Sequence, residues 1–385
     1  VLKNAMPKQD IILVKLSGHG LEDSGIYQGM SGSPVFINDR LIGALAYGWS
    51  YTKVSIAGVT PIHNMLDELK RPLEEPVSVA AADKSAGPGY RDGRIVPLTT
   101  PVMVSGVPSS IMGEVSDFLD DYNMTPLQGG GARDDIPAGP FRPGSAIGVT
   151  LARGDISMHA IGTVTWVDGS KVLAFGHPFL NGGEIRFPVT GARVLALLPR
   201  LSISAKMGLA GAEAGGLIQD RQACVVADTE YRAPMYPLDM DVINEKTGRG
   251  ECLEVEMAWE TSFTSQLMDI LLRAGLEYAE AHAGENTAET VVEAKFEGYP
   301  PVTLENTYFN GKGPFNKVML EPVRRMLYNP FEKVKLESLR VQARITPDIR
   351  IAMIKRLWME EDEIPPCGTG HVHVVLEPFG RKETE

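Results

Sequence analysis

The sequence predicts a mainly β protein of the β-rich α+β class. Three observations carry this expectation. Apolar runs of strand length recur along the chain with turn residues between them. The 40 glycines and 27 prolines are dispersed over all 385 residues. Helical periodicity is confined to a few short stretches. A chain two to three times the usual domain size is also expected to form two or more packing units.

Taken in order, Ile11-Ile12-Leu13-Val14 reads as a strand, and residues 34–37 and 41–47 read as a hairpin. Asn38-Asp39 makes its turn, since both residues tolerate positive φ. Residues 61–69 form a short helix. Residues 71–94 shift to Pro, Ala, Gly and scattered charge, the composition of a linker or long surface loop. Ser110 caps a helix over 111–122, in which Ile111, Val115, Phe118 and Leu119 share one face. A Gly- and Pro-rich loop over 129–144 follows. The runs 147–151, 161–167 and 172–175 are strands, and Asp168-Gly169 is a hairpin turn between the last two. Beyond about residue 230, Ser262 caps a helix reaching about His282, and a second helix over 317–328 contains Pro322. Residues 334–379 alternate like antiparallel strands, with 372–376 packing inward through alternate residues. The division that follows is 1–70, a linker over 71–98, then 99–230 and 231–385.

Charge and composition narrow the function. Acidic residues outnumber basic ones by 49 to 37, a net charge of −12. That balance repels phosphate backbones, and no basic patch offsets it, so nucleic acid is not an expected partner. No apolar run reaches the ~18–20 residues of a membrane-spanning helix, so no integral membrane segment is expected. Cys224, Cys252 and Cys367 are too few, and odd in number, for a disulfide framework. The chain opens Val1-Leu2-Lys3-Asn4 without a charged-then-apolar leader and reads as a processed or trimmed piece.

The densest chemical signal is Gly29-Met30-Ser31-Gly32-Ser33-Pro34, between a loop and an apolar hairpin. A serine nucleophile needs a hydroxyl on a tight turn and two backbone N–H groups converging on the developing oxyanion. Small residues on both sides of Ser31 permit the turn. Gly29 and Ser31 are the candidate oxyanion donors. The alternative is a turn whose Ser31 and Ser33 bond only local backbone. Of the seven histidines, His177 in Ala174-Phe175-Gly176-His177-Pro178-Phe179 follows a hairpin strand, a rigid place for a general base. Its alternative is a buried ring satisfied by backbone.

The serine segment and the hairpin after it resemble the Gly-Asp-Ser-Gly-Gly-Pro region of chymotrypsin-like peptidases. They resemble more closely the Gly-Met-Ser-Gly-Ser-Pro motif of the SpoIVB peptidase family of bacterial serine peptidases. The run Ile161-Gly162-Thr163-Val164-Thr165-Trp166, its turn, and 172–177 are similar to that family's histidine segment. The likeness covers about residues 10–60 and 145–230. It implies a chymotrypsin-like two-part β-barrel peptidase unit plus a C-terminal β-rich domain with helices. It also implies an exported, periplasmic or cell-envelope location. Two features depart from the patterns. Met30 replaces the aspartate of the chymotrypsin motif, and Ser31 precedes His177, the reverse of the family's order. The family's acid position falls near Ser17, Gly18 and His19, where no Asp stands, so Asp220 is the substitute third member. Equally, Asp220 is a turn residue paired with Arg221. Gly25, at the specificity position of the likeness, implies small or apolar side chains in the substrate.

Other motifs were weighed on their chemistry. His371-Val372-His373 alternates along a strand, so both rings share a face. With Cys367 upstream this could be part of a metal site, but no fourth ligand has suitable spacing and a solvent-facing strand is simpler. Glu360-Glu361-Asp362-Glu363 lacks the spacing of a calcium loop and reads as a solvated turn. Gly129-Gly130-Gly131 is not followed by the Lys-Ser/Thr of a phosphate loop. The expectation is therefore a serine endopeptidase of protein or peptide substrates, without cofactor or metal, using Ser31, His177 and Asp220. The alternative is a catalytically silent, peptidase-like scaffold of the envelope, with an envelope protein partner or a second copy of itself.

Overall fold

The structure is a computed structural model that describes residues 1–49, 52, 54–72, 95–133, 135–200, 204–279, 285–309, 315–361 and 363–379. Most of the linker expected at 71–98 lies outside the described residues. Strands hold 51% of the residues and helices 14%, so the fold is mainly β.

The first sheet contains β1 (Leu2–Met6), β2 (Gln9–Lys15), β3 (Pro34–Ile37), β4 (Arg40–Gly48), β5 (Ile56–Pro61) and β6 (Val96–Pro97). Its order is β1-β2-β5-β4-β3, with β6 paired to β4. A single turn, α1 (Leu21–Ser24), and a short helix, α2 (Ile62–Glu68), accompany it. The β3–β4 turn uses Asn38 and Asp39 at φ 48° and 60°, as their tolerance of left-handed backbone requires.

The second sheet has thirteen strands. In chain order they are β7 (Thr100–Ser105), β8 (Met124–Gln128), β9 (Ala146–Gly154), β10 (Ser157–Asp168), β11 (Lys171–Ala174), β12 (Pro188–Leu198) and β13 (Ala205–Arg221). Then follow β14 (Cys224–Asp228), β15 (Met235–Asn244), β16 (Arg249–Ala258), β17 (Thr287–Phe296), β18 (Val302–Phe309) and β19 (Leu336–Thr346). Their order is β18-β17-β19-β15-β16-β9-β12-β13-β14-β11-β10-β7-β8, with β9 also paired to β10. That extra pairing closes β9-β12-β13-β14-β11-β10 into an antiparallel six-stranded ring, which leaves none of those strands as a free edge. The first sheet, among the described residues, has no pairing that closes it.

The expected boundary at 230/231 is corrected. Strand β16 pairs with β9 through Val255↔Gly154, Glu256↔Arg153 and Met257↔Ala152. One apolar core runs from Val102 and Ile147 to Leu238, Phe263, Val292 and Val341. Backbone pairing ignores composition, so a change of sequence texture near 230 does not interrupt the sheet.

The helices α3 (Met112–Asp120) and α4 (Thr261–Tyr278) cover this core. Their contact is aromatic: Phe118 and Tyr122 each lie 5.0 Å, centroid to centroid, from Phe263. The cap of α4 is Glu260, whose carboxylate accepts from the Phe263 N–H at 2.8 Å, rather than the expected Ser262. The helix expected over 317–328 divides into α5 (Asn316–Met319) and α6 (Glu321–Leu327). Pro322 sits in the first turn of α6, where its missing N–H costs nothing. Strands β20 (Ala352–Met359) and β21 (Val372–Pro378) make a separate two-stranded hairpin. Val372 and Leu376 are 54% and 38% exposed, so this strand does not pack inward as expected.

Apolar packing and a close backbone approach both join the first sheet to the ring. Met65 of α2 and Ala44 pack with Leu173, Cys224 and Val226. Gly32 lies at φ 91° against strand β10, where a Cβ would stand 1.9 Å from the Thr163 carbonyl oxygen and 2.5 Å from the Phe175 nitrogen. Gly32→Ala should therefore cost more than the ~1–3 kcal/mol of positive-φ strain alone, because the backbone it meets cannot yield. Thermal melting checks this: a Tm within a degree of the parent's would refute the close approach.

Candidate active site

Ser31 lies in a turn whose carbonyls are held from behind. The Ser31 carbonyl accepts from the Thr163 N–H at 3.0 Å. The Gly29 carbonyl accepts from the Thr163 hydroxyl at 3.0 Å, and the Gly32 carbonyl from the Thr165 hydroxyl at 2.7 Å. Gln28 extends the docking by bridging to Ala205, its N–H donating to the Ser204 carbonyl at 2.8 Å. Among the described residues, the N–H groups of Gly29 and Ser31 donate no hydrogen bond, while those of Gly32 and Ser33 do. Gly29, at φ 85°, has the conformation that the small-residue motif anticipates. The turn is thus anchored through its carbonyls and keeps two amides free.

His177 follows β11 after two left-handed residues, Phe175 at φ 67° and Gly176 at φ 70°. That reversal carries the chain back against the first sheet. Gly176 packs on Ala44 and Ala46, and its carbonyl accepts from the Thr60 hydroxyl at 2.5 Å. The His177 Nδ1 lies 2.7 Å from the Pro178 carbonyl oxygen. A carbonyl only accepts, so Nδ1 carries the proton and Nε2 presents a lone pair. Burial pushes the ring down to about 4, a shift the Pro178 carbonyl opposes, and the imidazole is neutral at pH 7.

The two segments therefore meet at one junction, Gly32 against Phe175 and Gly176 against strand β4. Ser31 is 0% exposed and His177 1%. The Ser31 hydroxyl and His177 Nε2 are both buried without a hydrogen-bond partner, so they are not bonded to each other in this closed arrangement. An unsatisfied buried polar atom costs about 1–3 kcal/mol, and two at one junction are unusual.

Asp220 is corrected from its expected role. Its carboxylate accepts from the backbone N–H groups of Phe179 at 2.7 Å, Leu180 at 2.6 Å and Gly182 at 3.3 Å, with no bond to the His177 ring. Nor does it pair with Arg221. Its backbone also exchanges two hydrogen bonds with Gly183. Asp220 thus braces the 179–183 loop that continues from His177, and it reaches the histidine only through that loop. Burial raises its carboxyl to about 6 against the lowering effect of the amides. The His177 Nδ1 that a triad acid would hold is on the Pro178 carbonyl instead.

A residue that the sequence did not single out stands beside the turn. The Lys206 ammonium donates to the Thr163 hydroxyl at 3.0 Å, and that hydroxyl donates to the Gly29 carbonyl. Desolvation lowers the lysine to about 8, and among the described residues it has no carboxylate partner. The available signal was one cation in a strand of small and apolar residues, Ala205-Lys206-Met207-Gly208-Leu209-Ala210. A concavity of about 680 Å³ over β15, β17, β18 and β19 is remote from this junction in the strand order. A smaller one of about 340 Å³ adjoins the bracing loop and is lined by Gln9, Asn64, Glu68, Asn181, Asp220 and Arg221 among others.

No family model, no curated protein and no solved structure matches the chain.

Two predictions follow from burial and bracing. His159 is also buried, and desolvation with the nearby Arg153 charge pushes it down to about 4. The unfolded chain, with imidazoles near 6.5, takes up these protons first, so both histidines make stability fall as pH drops from about 6.5 to about 4. Asp220, raised, opposes them between about 4 and 6. Melting across this range should show a His159→Gln chain losing less Tm than the parent, and equal losses would refute the assignment. Separately, Asp220→Asn leaves the three amides one acceptor oxygen and an NH₂ group. It should lower Tm and speed proteolytic cutting within 179–183, and unchanged cutting would show that the carboxylate is not the brace.

Proposed function

We propose that the chain is a serine hydrolase acting on peptide bonds through a Ser31–His177 dyad. The reading is carried by the turn with two undonated amides, packed at the same junction as an imidazole whose Nε2 lone pair has no partner. In this mechanism the Ser31 hydroxyl attacks the scissile carbonyl while His177 Nε2 takes its proton. The oxyanion faces the Gly29 and Ser31 N–H groups. The imidazolium then gives its proton to the leaving amine, and water, activated by the same nitrogen, releases the acyl group. The Pro178 carbonyl holds the tautomer, a part for which Asp220 is not placed. Lys206 adds a positive charge one hydroxyl behind the turn. With both groups buried, substrate requires the junction to open.

That closure, together with the missing carboxylate on the histidine, favours a second reading: a peptidase-like binding scaffold without turnover. A fluorophosphonate probe separates the two. The dyad should displace fluoride and form a Ser31 Oγ–phosphorus bond, found by peptide mass mapping. Labelling should vanish in Ser31→Ala and slow by about 10²–10⁴-fold in His177→Gln. Ser31→Ala should also keep or raise Tm, since it removes an unsatisfied buried hydroxyl. Absence of labelling at Ser31 in the folded parent sinks the enzyme reading and leaves the scaffold.

A further inference from the structure

We propose that Glu360, Glu361 and His371 form a binding site for a zinc-class divalent transition metal at the loop end of the β20–β21 hairpin. Their ligand atoms, one from each residue, lie within 4.8 Å of one another. The hairpin brings them together: Met359 pairs with Val372, and the Glu360 N–H donates to the His371 carbonyl at 3.0 Å. Glu361 accepts from both the N–H and the Nδ1 of His371, each at 2.7 Å. A metal in this place would be held by His371 Nδ1 and a Glu361 carboxylate oxygen, which move apart from their present 2.7 Å as the Nδ1 proton leaves to solvent.

His373 lies beside Glu360, at the edge of the site and outside the converging set. Its Nε2 lies 3.4 Å from a Glu360 carboxylate oxygen. The His373 ring is stacked on Trp358, with centroids 5.0 Å apart and planes inclined by 10°. Arg356 lies over the same indole at 4.6 Å. An imidazole with two carboxylates, the remaining position left to water, suits a borderline cation such as zinc, cobalt or nickel, whereas calcium and magnesium prefer oxygen throughout. Cys367, in the same loop, is not among the converging atoms. Among the described residues the hairpin pairs with no other strand, and an isolated two-stranded unit is marginal in water, so a cation held by its loop would fasten it. The acidic turn and the solvent-facing strand expected from sequence thus become two halves of one site.

The test uses the full chain after chelator treatment and dialysis. Zinc is titrated against a chromophoric zinc indicator, with cobalt absorption as a second readout. The expected result is one equivalent bound with visible cobalt bands. Affinity should fall at least tenfold in Glu361→Gln, and the equivalent should be lost in His371→Ala. Cobalt should quench the indole emission in the parent, and Trp358→Phe should lose that quenching while retaining the bound equivalent. All three positions are at the surface of the hairpin, so circular dichroism should be unchanged. Failure to bind zinc or cobalt, binding indifferent to His371→Ala, or calcium binding in preference to zinc would each overturn the site.

Discussion

The arrangement depends on one close approach, that of the Gly32 backbone to strand β10 and the residue after β11. No side chain separates the serine turn from Thr163 and Phe175, so the turn's carbonyls reach donors on β10 directly. Because those carbonyls are engaged, the free polar groups of the turn are its amides and the Ser31 hydroxyl. A larger residue at position 32 would lift the first sheet from the ring. It would also break the contact of the Ser31 turn with the residues that precede His177.

Burial sets the electrostatics of that junction more than charge pairing does. Desolvation is the leading cause of the shifts at His177, Asp220 and Lys206, and among the described residues none of the three has an ionic partner. Each is instead met by backbone or hydroxyl groups: a prolyl carbonyl, a fan of loop amides, a threonine hydroxyl. Neutral contacts of this kind orient a group without fixing its charge. A histidine held by a carbonyl retains the tautomer of a general base, and it lacks the carboxylate that would stabilise an imidazolium.

The continuous sheet gives the remainder of the chain a different part from the separate accessory unit expected of it. Strands β15 to β19 extend the ring from β9, and α4 packs Phe263 against Phe118, Tyr122 and Phe187. The ring therefore shares its core with the region after residue 230. Truncation there would expose β9 and the apolar face beneath α4. Only the β20–β21 hairpin stands apart from both sheets.

Local chemistry alone determined much of what is seen. Asn38-Asp39 and Asp168-Gly169 made their hairpins, the apolar face of 111–122 made α3, and Gly29 to Pro34 made a tight turn with Ser31 in it. In each case the deciding forces act within a few residues: φ preference, periodicity, the absence of a Cβ. Tertiary structure decided the closure of β9 on β10, the passage of one sheet across residue 230 and the junction of Ser31 with His177. It also decided the diversion of Asp220 to amides, the burial of Lys206, and the meeting of Glu361 with His371. Most of these join segments far apart in the chain, largely through backbone hydrogen bonds. A backbone N–H or C=O is the same on nearly every residue, so its distant partner is chosen by packing and register and leaves little trace in the sequence.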